Sequence, residues 1–172
     1  DELTKTVRMT FFVDPGKKVY VRRINFSGNT KTRDEVIRRE MRQMEAAWAS
    51  STKIERSKVR LERLGYFQEV NVETPAVPGT SDQVDVNVRV KEKSTGAFLF
   101  GLGFSQASKI TVQSSITQSN FLGSGNTVGG AFNTGKINQD ISLSYTNPYY
   151  TVDGLSRGFS VHKRRTNAST LN

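Results

Sequence analysis

Cysteine is missing from this 172-residue chain, and histidine occurs once, at His162. Without cysteine there is no disulfide framework and no thiolate metal site. A lone histidine gives little support to a zinc centre or a serine–histidine–acid triad. No pair of carboxylates stands out as a general acid and base. The chain is therefore expected not to be an enzyme and to need neither metal nor cofactor. Also missing are a signal peptide and any apolar run of the ~18 residues that a membrane helix requires. Membrane contact would have to use strands or a surface. The abrupt start and stop suggest a piece of a longer protein.

Charge is present but unevenly spread. Residues 1–95 hold 19 Lys+Arg and 14 Asp+Glu, a net +5; residues 96–172 hold 6 and 2, a net +4. The first part is as densely charged as a water-soluble domain. The second is charge-poor, apart from Lys163, Arg164 and Arg165 near its end. The overall +9 invites a nucleic-acid reading, but acidic residues are interleaved with the basic ones.

In the first part, Val7, Met9, Phe11 and Val13 alternate. They predict the last strand of a preceding unit, over 1–14, closed by Asp14-Pro15-Gly16. A domain over 15–94 follows. Its first strand spans 18–26, where Val19 and Val21 share one parity and Ile24 and Phe26 the other, so a bulge is expected. Thr32-x-x-Glu35 reads as a capping box opening a helix with the stripe Val36, Ile37, Met41 and Met44. Thr52-x-x-Glu55 reads as a second, with Ile54, Ser57, Leu61 and Leu64 inward and Gly65 as the left-handed cap. Strands follow at 67–73 (Phe67, Val70, Val72) and 84–90 (Val84, Val86, Val88, Val90). Strand–helix–helix–strand–strand is an α+β layer pair.

From Gly96 the alternation persists, but its polar positions become small and uncharged. Phe98, Phe100, Leu102 and Phe104 share a face. So do Ile110, Val112 and Ile116; Val128 and Phe132; Ile141, Leu143 and Tyr145; and Leu155, Phe159 and Val161. Four strands and the start of a fifth, over 95–172, fit the opening of an antiparallel transmembrane β-barrel. Phe121 at one turn and Tyr149-Tyr150 at the next read as aromatic girdles at alternate ends.

Other motifs carry little chemistry. Gly123-x-Gly125 joins two strands and lacks the dinucleotide spacing, so a hairpin turn accounts for it. The helix pair resembles the KH RNA-binding order, but the inter-helix segment Glu45–Ser51 has no Gly-x-x-Gly loop. No nucleic-acid partner is expected, and a basic RNA-binding module fused to a soluble β-domain is the alternative from another class.

What remains is edge chemistry. Val19, Val21 and Ile24 on one strand, or Phe67, Val70 and Val72 on the other, would line a sheet edge that an extended peptide could join through backbone bonds. The barrel strand Ala97–Ser105, with Phe98, Phe100, Leu102 and Phe104, is an edge unless sealed.

Gly28-Asn29-Thr30-Lys31-Thr32, Arg38 to Glu45, Arg63-Leu64-Gly65-Tyr66-Phe67, Val77-Pro78-Gly79-Thr80, Asn120 to Asn126 and Asn147 to Gly154 together resemble the BamA family. Its members are central subunits of the outer-membrane β-barrel assembly machinery. The resemblance implies the last POTRA domain followed by the first barrel strands. It implies a Gram-negative outer-membrane location with the POTRA domain in the periplasm, unfolded outer-membrane proteins as clients, and contact with the lipid bilayer. It also implies docking of a BamD-like lipoprotein, among other assembly-machinery lipoproteins, at Arg38, Arg42 and Glu45. The family's Arg-Gly-Phe motif belongs to a late loop, so Arg157-Gly158-Phe159 is not its equivalent. A two-partner-secretion transporter is the alternative within the superfamily.

Overall fold

The computed structural model describes residues 9–12, 17–106 and 109–167, except for the side chain of Ser105. Val7 and Val13 of the expected first strand lie outside the described residues. Met9 to Phe12 are exposed and belong to no strand.

Two sheets follow one another. The first has the order β1 (Tyr20–Ser27), β3 (Gln83–Glu92), β2 (Phe67–Glu73), with β3 central. β1 runs parallel to β3, and β2 antiparallel. The register between β1 and β3 slips between Val21 and Arg23. That bulge reconciles the parity conflict, and both Val21 and Ile24 are buried. Val86, Val88 and Val90 line the same inner face, with Val36, Ile37, Met41 and Leu61 packed over it from the helical layer. The outer face is a polar ladder, in which Arg22 pairs with Asp85 and Asn25 with Asn87. Alternation along β3 thus puts apolar residues under the helices and polar ones in water.

The helical layer differs from the capping-box expectation. α1 spans only Asp34–Arg38, with Arg33 as its N-cap and no side-chain cap. Thr32 cannot cap it, because Thr32 is held elsewhere: its N–H donates to Glu92 and its hydroxyl accepts from Asn120. Beyond Arg38 the chain leaves the helix, so helical spacing no longer brings Met44 inward, and it is 64% exposed. Gln43 takes the interior place. Its Nε2 donates to the carbonyls of Met44 and Trp48, and its Oε1 accepts from Ser50 N–H, all at 3.0 Å. α2 spans Ser51–Arg63 and is capped by Ser50, whose side chain accepts from Lys53 N–H. Thr52 already lies inside the helix. Gly65 adopts φ +73°, as a left-handed cap requires.

The second sheet is a meander, β4 (Gly96–Ser105), β5 (Lys109–Gln118), β6 (Thr127–Thr134), β7 (Asn138–Asn147) and β8 (Arg157–Thr166). β8 is a full strand rather than a beginning. Leu155 falls in the turn before it, its carbonyl accepting from Tyr150 N–H. The register puts Phe98 opposite Ile116, Leu102 opposite Val112, Phe132 opposite Ile141 and Leu143 opposite Val161. One face is therefore a continuous apolar surface, and these side chains are exposed, apart from half-buried Val112. The Phe121 and Tyr149-Tyr150 turns, expected at alternate ends, lie at the same end. β5–β6 and β7–β8 both turn on the side where β4 enters from the first sheet.

Candidate functional site

Backbone groups at a sheet edge decide what can bind there. β1 and β2 are both edges by strand order, yet they are not equivalent. Along the start of β1 lies the segment Ala46–Ala49. Val21 N–H donates to Ala47 C=O, Ala46 N–H to Val21 C=O, and Ala49 N–H to Val19 C=O, at 2.8–2.9 Å. Tyr20 stacks on Trp48 with ring centroids 3.9 Å apart. Further along, Ile24 N–H donates to the Glu45 carboxylate at 2.8 Å. The β1 edge at Val19, Val21 and Ile24 is thus largely taken by the chain itself. β2 differs: among the described residues no strand pairs with the outer side of Phe67–Glu73. β4 likewise pairs only with β5, through ten consecutive positions. Among the described residues three strand edges are therefore without a partner: β2 in the first sheet, and β4 and β8 at the two sides of the second.

Making the β1 cover requires strain. Ala46 sits at φ +58°, a left-handed conformation that costs an L-residue about 1–2 kcal/mol. Buried Gln43 fixes the loop around it. Ser57 Oγ supports the same segment by accepting from Arg42 N–H at 2.8 Å and donating to Lys53 C=O at 2.7 Å.

Of the residues expected to dock a partner, two meet. Arg38 and Glu45 approach to 3.4 Å, and the Arg38 guanidinium lies 4.9 Å from the centre of the Phe26 ring. Arg42 is separate. It lines a basic groove of about 480 Å³ with Lys53, Arg56, Arg60 and Arg63 of α2.

The two sheets are joined by a contact that sequence reasoning missed. Arg33 N–H donates to Gly123 C=O at 3.0 Å, and Asn120 Nδ2 donates to Thr32 Oγ1 at 2.7 Å. The Tyr66 hydroxyl donates to Gly125 C=O at 3.2 Å. Burial pushes the Tyr66 hydroxyl up from its ordinary pKa, so it stays a donor. Nearby, Arg39 lies over the Tyr149 ring at 4.2 Å. Arg60 bridges the buried Glu40 carboxylate, at 2.6 Å, and the Tyr149 hydroxyl, at 3.1 Å. Glu92, at the exit of β3, accepts from Thr30 Oγ1, Lys31 N–H and Thr32 N–H at 2.7–2.9 Å. Burial raises its carboxyl, but these hydrogen bonds outweigh that and bring its pKa down to about 2. Glycine is needed where the turn touches the first domain: a Cβ at Gly123 would lie 1.8 Å from Lys31 O. The available signal is the run Asn120 to Asn126, which carries part of the family resemblance and whose Gly123-x-Gly125 reads, taken by itself, as a hairpin turn.

Comparison with known proteins fits both halves. Residues 19–93 match the POTRA family, described as surface antigen variable number repeat, and residues 120–172 match the Omp85 superfamily domain. The outer membrane protein assembly factor BamA of Neisseria meningitidis serogroup B is 42% identical over 92% of this chain, which covers 20% of that protein. The crystal structure of BamA from Haemophilus ducreyi lacking POTRA domains 1–3 superposes with a TM-score of 0.82. It is 41% identical, over 89% of this chain and 29% of that one.

The chain belongs to the BamA family. It holds a POTRA domain and the first strands of the barrel. It spans about a fifth of the length of the curated BamA relatives it matches. CdiB from Acinetobacter baumannii shares the fold alone, with a TM-score of 0.56 at 12% identity over 86% of this chain and 28% of that one. In BamA terms, the missed contact ties the POTRA domain to the turns β5–β6 and β7–β8 of the barrel.

Proposed function

We propose that this chain works within the outer-membrane β-barrel assembly machinery, binding unfolded outer-membrane proteins by β-augmentation and templating their insertion. The observation that carries this reading is the free outer side of β2 in the POTRA sheet, together with the place of β4 as the first strand of the barrel sheet, an edge unless the rest of the barrel seals it. An edge binds through backbone N–H and C=O groups, so it accepts many unrelated sequences. In lipid an unpaired strand is costly, which makes β4 receptive to an incoming strand. The POTRA domain lies in the periplasm and the strands β4–β8 in the outer membrane. β2 receives the client, because Ala46–Ala49 and Glu45 occupy much of β1. The domain–barrel contact holds β2 and β4 in a fixed relation, so that a strand held at one can be passed to the other. Arg38 and Glu45, beside Phe26, dock a BamD-like lipoprotein, while Arg42 contributes from the neighbouring basic groove. The driving force is burial of apolar client surface in lipid together with backbone pairing.

Photocrosslinking in the full-length protein tests this, with probes at Val72 on β2 and Phe100 on β4. Adducts with several unrelated newly made outer-membrane proteins at both sites are expected. Adducts with a single dedicated secreted protein would instead assign the chain to two-partner secretion.

A further inference from the structure

β8 carries its charges in an order that the register converts into height in the membrane. Its apolar-face positions are Arg157, Phe159, Val161, Lys163 and Arg165. They face Asn147, Tyr145, Leu143, Ile141 and Gln139 of β7 in turn. Lys163 therefore shares a row with Ile141 and Phe132, and Arg165 shares the next row with Gln139 and Thr134. These rows lie at the end of the sheet remote from the POTRA domain. Arg164 points to the opposite, polar face and approaches Asp140 to 3.5 Å. Asp140 is the one acidic residue within the strands β4 to β8, so among the described residues of these strands no carboxylate shares the face of Lys163 and Arg165. At the near end, Arg157 is stacked over the Tyr150 ring at 4.8 Å.

From Arg157 to Lys163 is six residues, about 20 Å along a strand. A strand tilt of about 40° reduces this to roughly 15 Å along the membrane normal, against an apolar band about 25 Å tall. Both ends must then snorkel, by on the order of 5 Å each, to put the charge at headgroup level. Lys163 and Arg165, two positions apart on one face, are about 7 Å from each other. A phosphorylated headgroup would present an anion at that level, and arginine can bind a phosphate through two donors.

We propose that Lys163 and Arg165 form a binding site for the phosphorylated headgroup of a lipid in the outer leaflet. The proposal rests on the barrel reading under Proposed function. The test uses the full-length protein, reconstituted and then delipidated. Native mass spectrometry follows binding of a diphosphorylated glycolipid and of the same lipid with its phosphates removed. The double variant Lys163→Gln/Arg165→Gln should bind the phosphorylated lipid about tenfold more weakly than the parent, the loss of charge-assisted hydrogen bonds. Arg164→Gln, altered on the polar face, should bind as the parent does. The dephosphorylated lipid should bind the parent no better than the double variant binds the phosphorylated one. Equal binding by parent and double variant would overturn the site. Displacement of the lipid by excess inorganic phosphate would overturn the lipid assignment in favour of a free-anion site. Heat-modifiable gel mobility, measured alongside, separates the two levels: a parent protein that fails to insert into vesicles overturns the barrel reading and this site with it.

Discussion

At the scale of single residues, the molecule depends on a few backbone positions where side-chain chemistry is nearly irrelevant. Gly123→Ala would place a methyl group against Lys31 O at a φ of +72°. The expected cost to the domain–barrel contact is about 2–3 kcal/mol. Spin-label distances between the POTRA domain and β6 should broaden in that variant. Ala46 is the opposite case, a left-handed residue where glycine would be free of strain. Ala46→Gly should stabilise the POTRA domain by about 1 kcal/mol, read from its denaturant midpoint. Glu92 gives a pH signature. Its carboxyl is held at about 2, below its ordinary 4.5, so its contribution is full above pH 4.5 and is lost as pH falls towards 2. The parent protein should lose POTRA stability across that window, and Glu92→Gln should flatten that part of the profile.

At the scale of elements, the strands were legible in the sequence and the helical layer was only partly so. Val84 to Val90 alternate so regularly that β3 and its inner face were hard to mistake, while its central place comes from the strand order. The parity break between Val21 and Ile24 located a real bulge. Capping boxes misled because Thr32 and Thr52 have the right spacing, but Thr32 is claimed by partners distant in sequence and a nearer serine takes the place of Thr52. Thr32 is held by Glu92 and Asn120, and Ser50, two residues earlier than expected, caps α2. The same distance effect hid the contact between domains, since Arg39, Glu40, Arg60 and Tyr149 are brought together only by folding. Removing one member should be costly. Arg60→Ala leaves the Glu40 carboxylate buried without its close cation, a loss of about 3 kcal/mol in POTRA stability. Tyr149→Phe removes one hydrogen bond from Arg60 and should cost nearer 1 kcal/mol.

At the scale of the whole molecule, the sequence made the division into a charged α+β domain and charge-poor strands plain, and the family followed from long strings of residues. It left open which edge binds clients. Both candidate strands carry apolar residues with a break in parity, so their patterns do not tell them apart, and the difference between them comes from Ala46–Ala49 folding back on β1. Client capture is proposed at β2 and insertion at β4. The most direct test is a cysteine scan of Phe98, Phe100 and Leu102 in the full-length protein, against a single cysteine in the last strand of a newly made outer-membrane protein. A paired strand should give disulfides that advance two residues on the client for every two on β4, in one register and for unrelated clients. Disulfides confined to the barrel's own last strand, with none to any client, would contradict a templating role for β4.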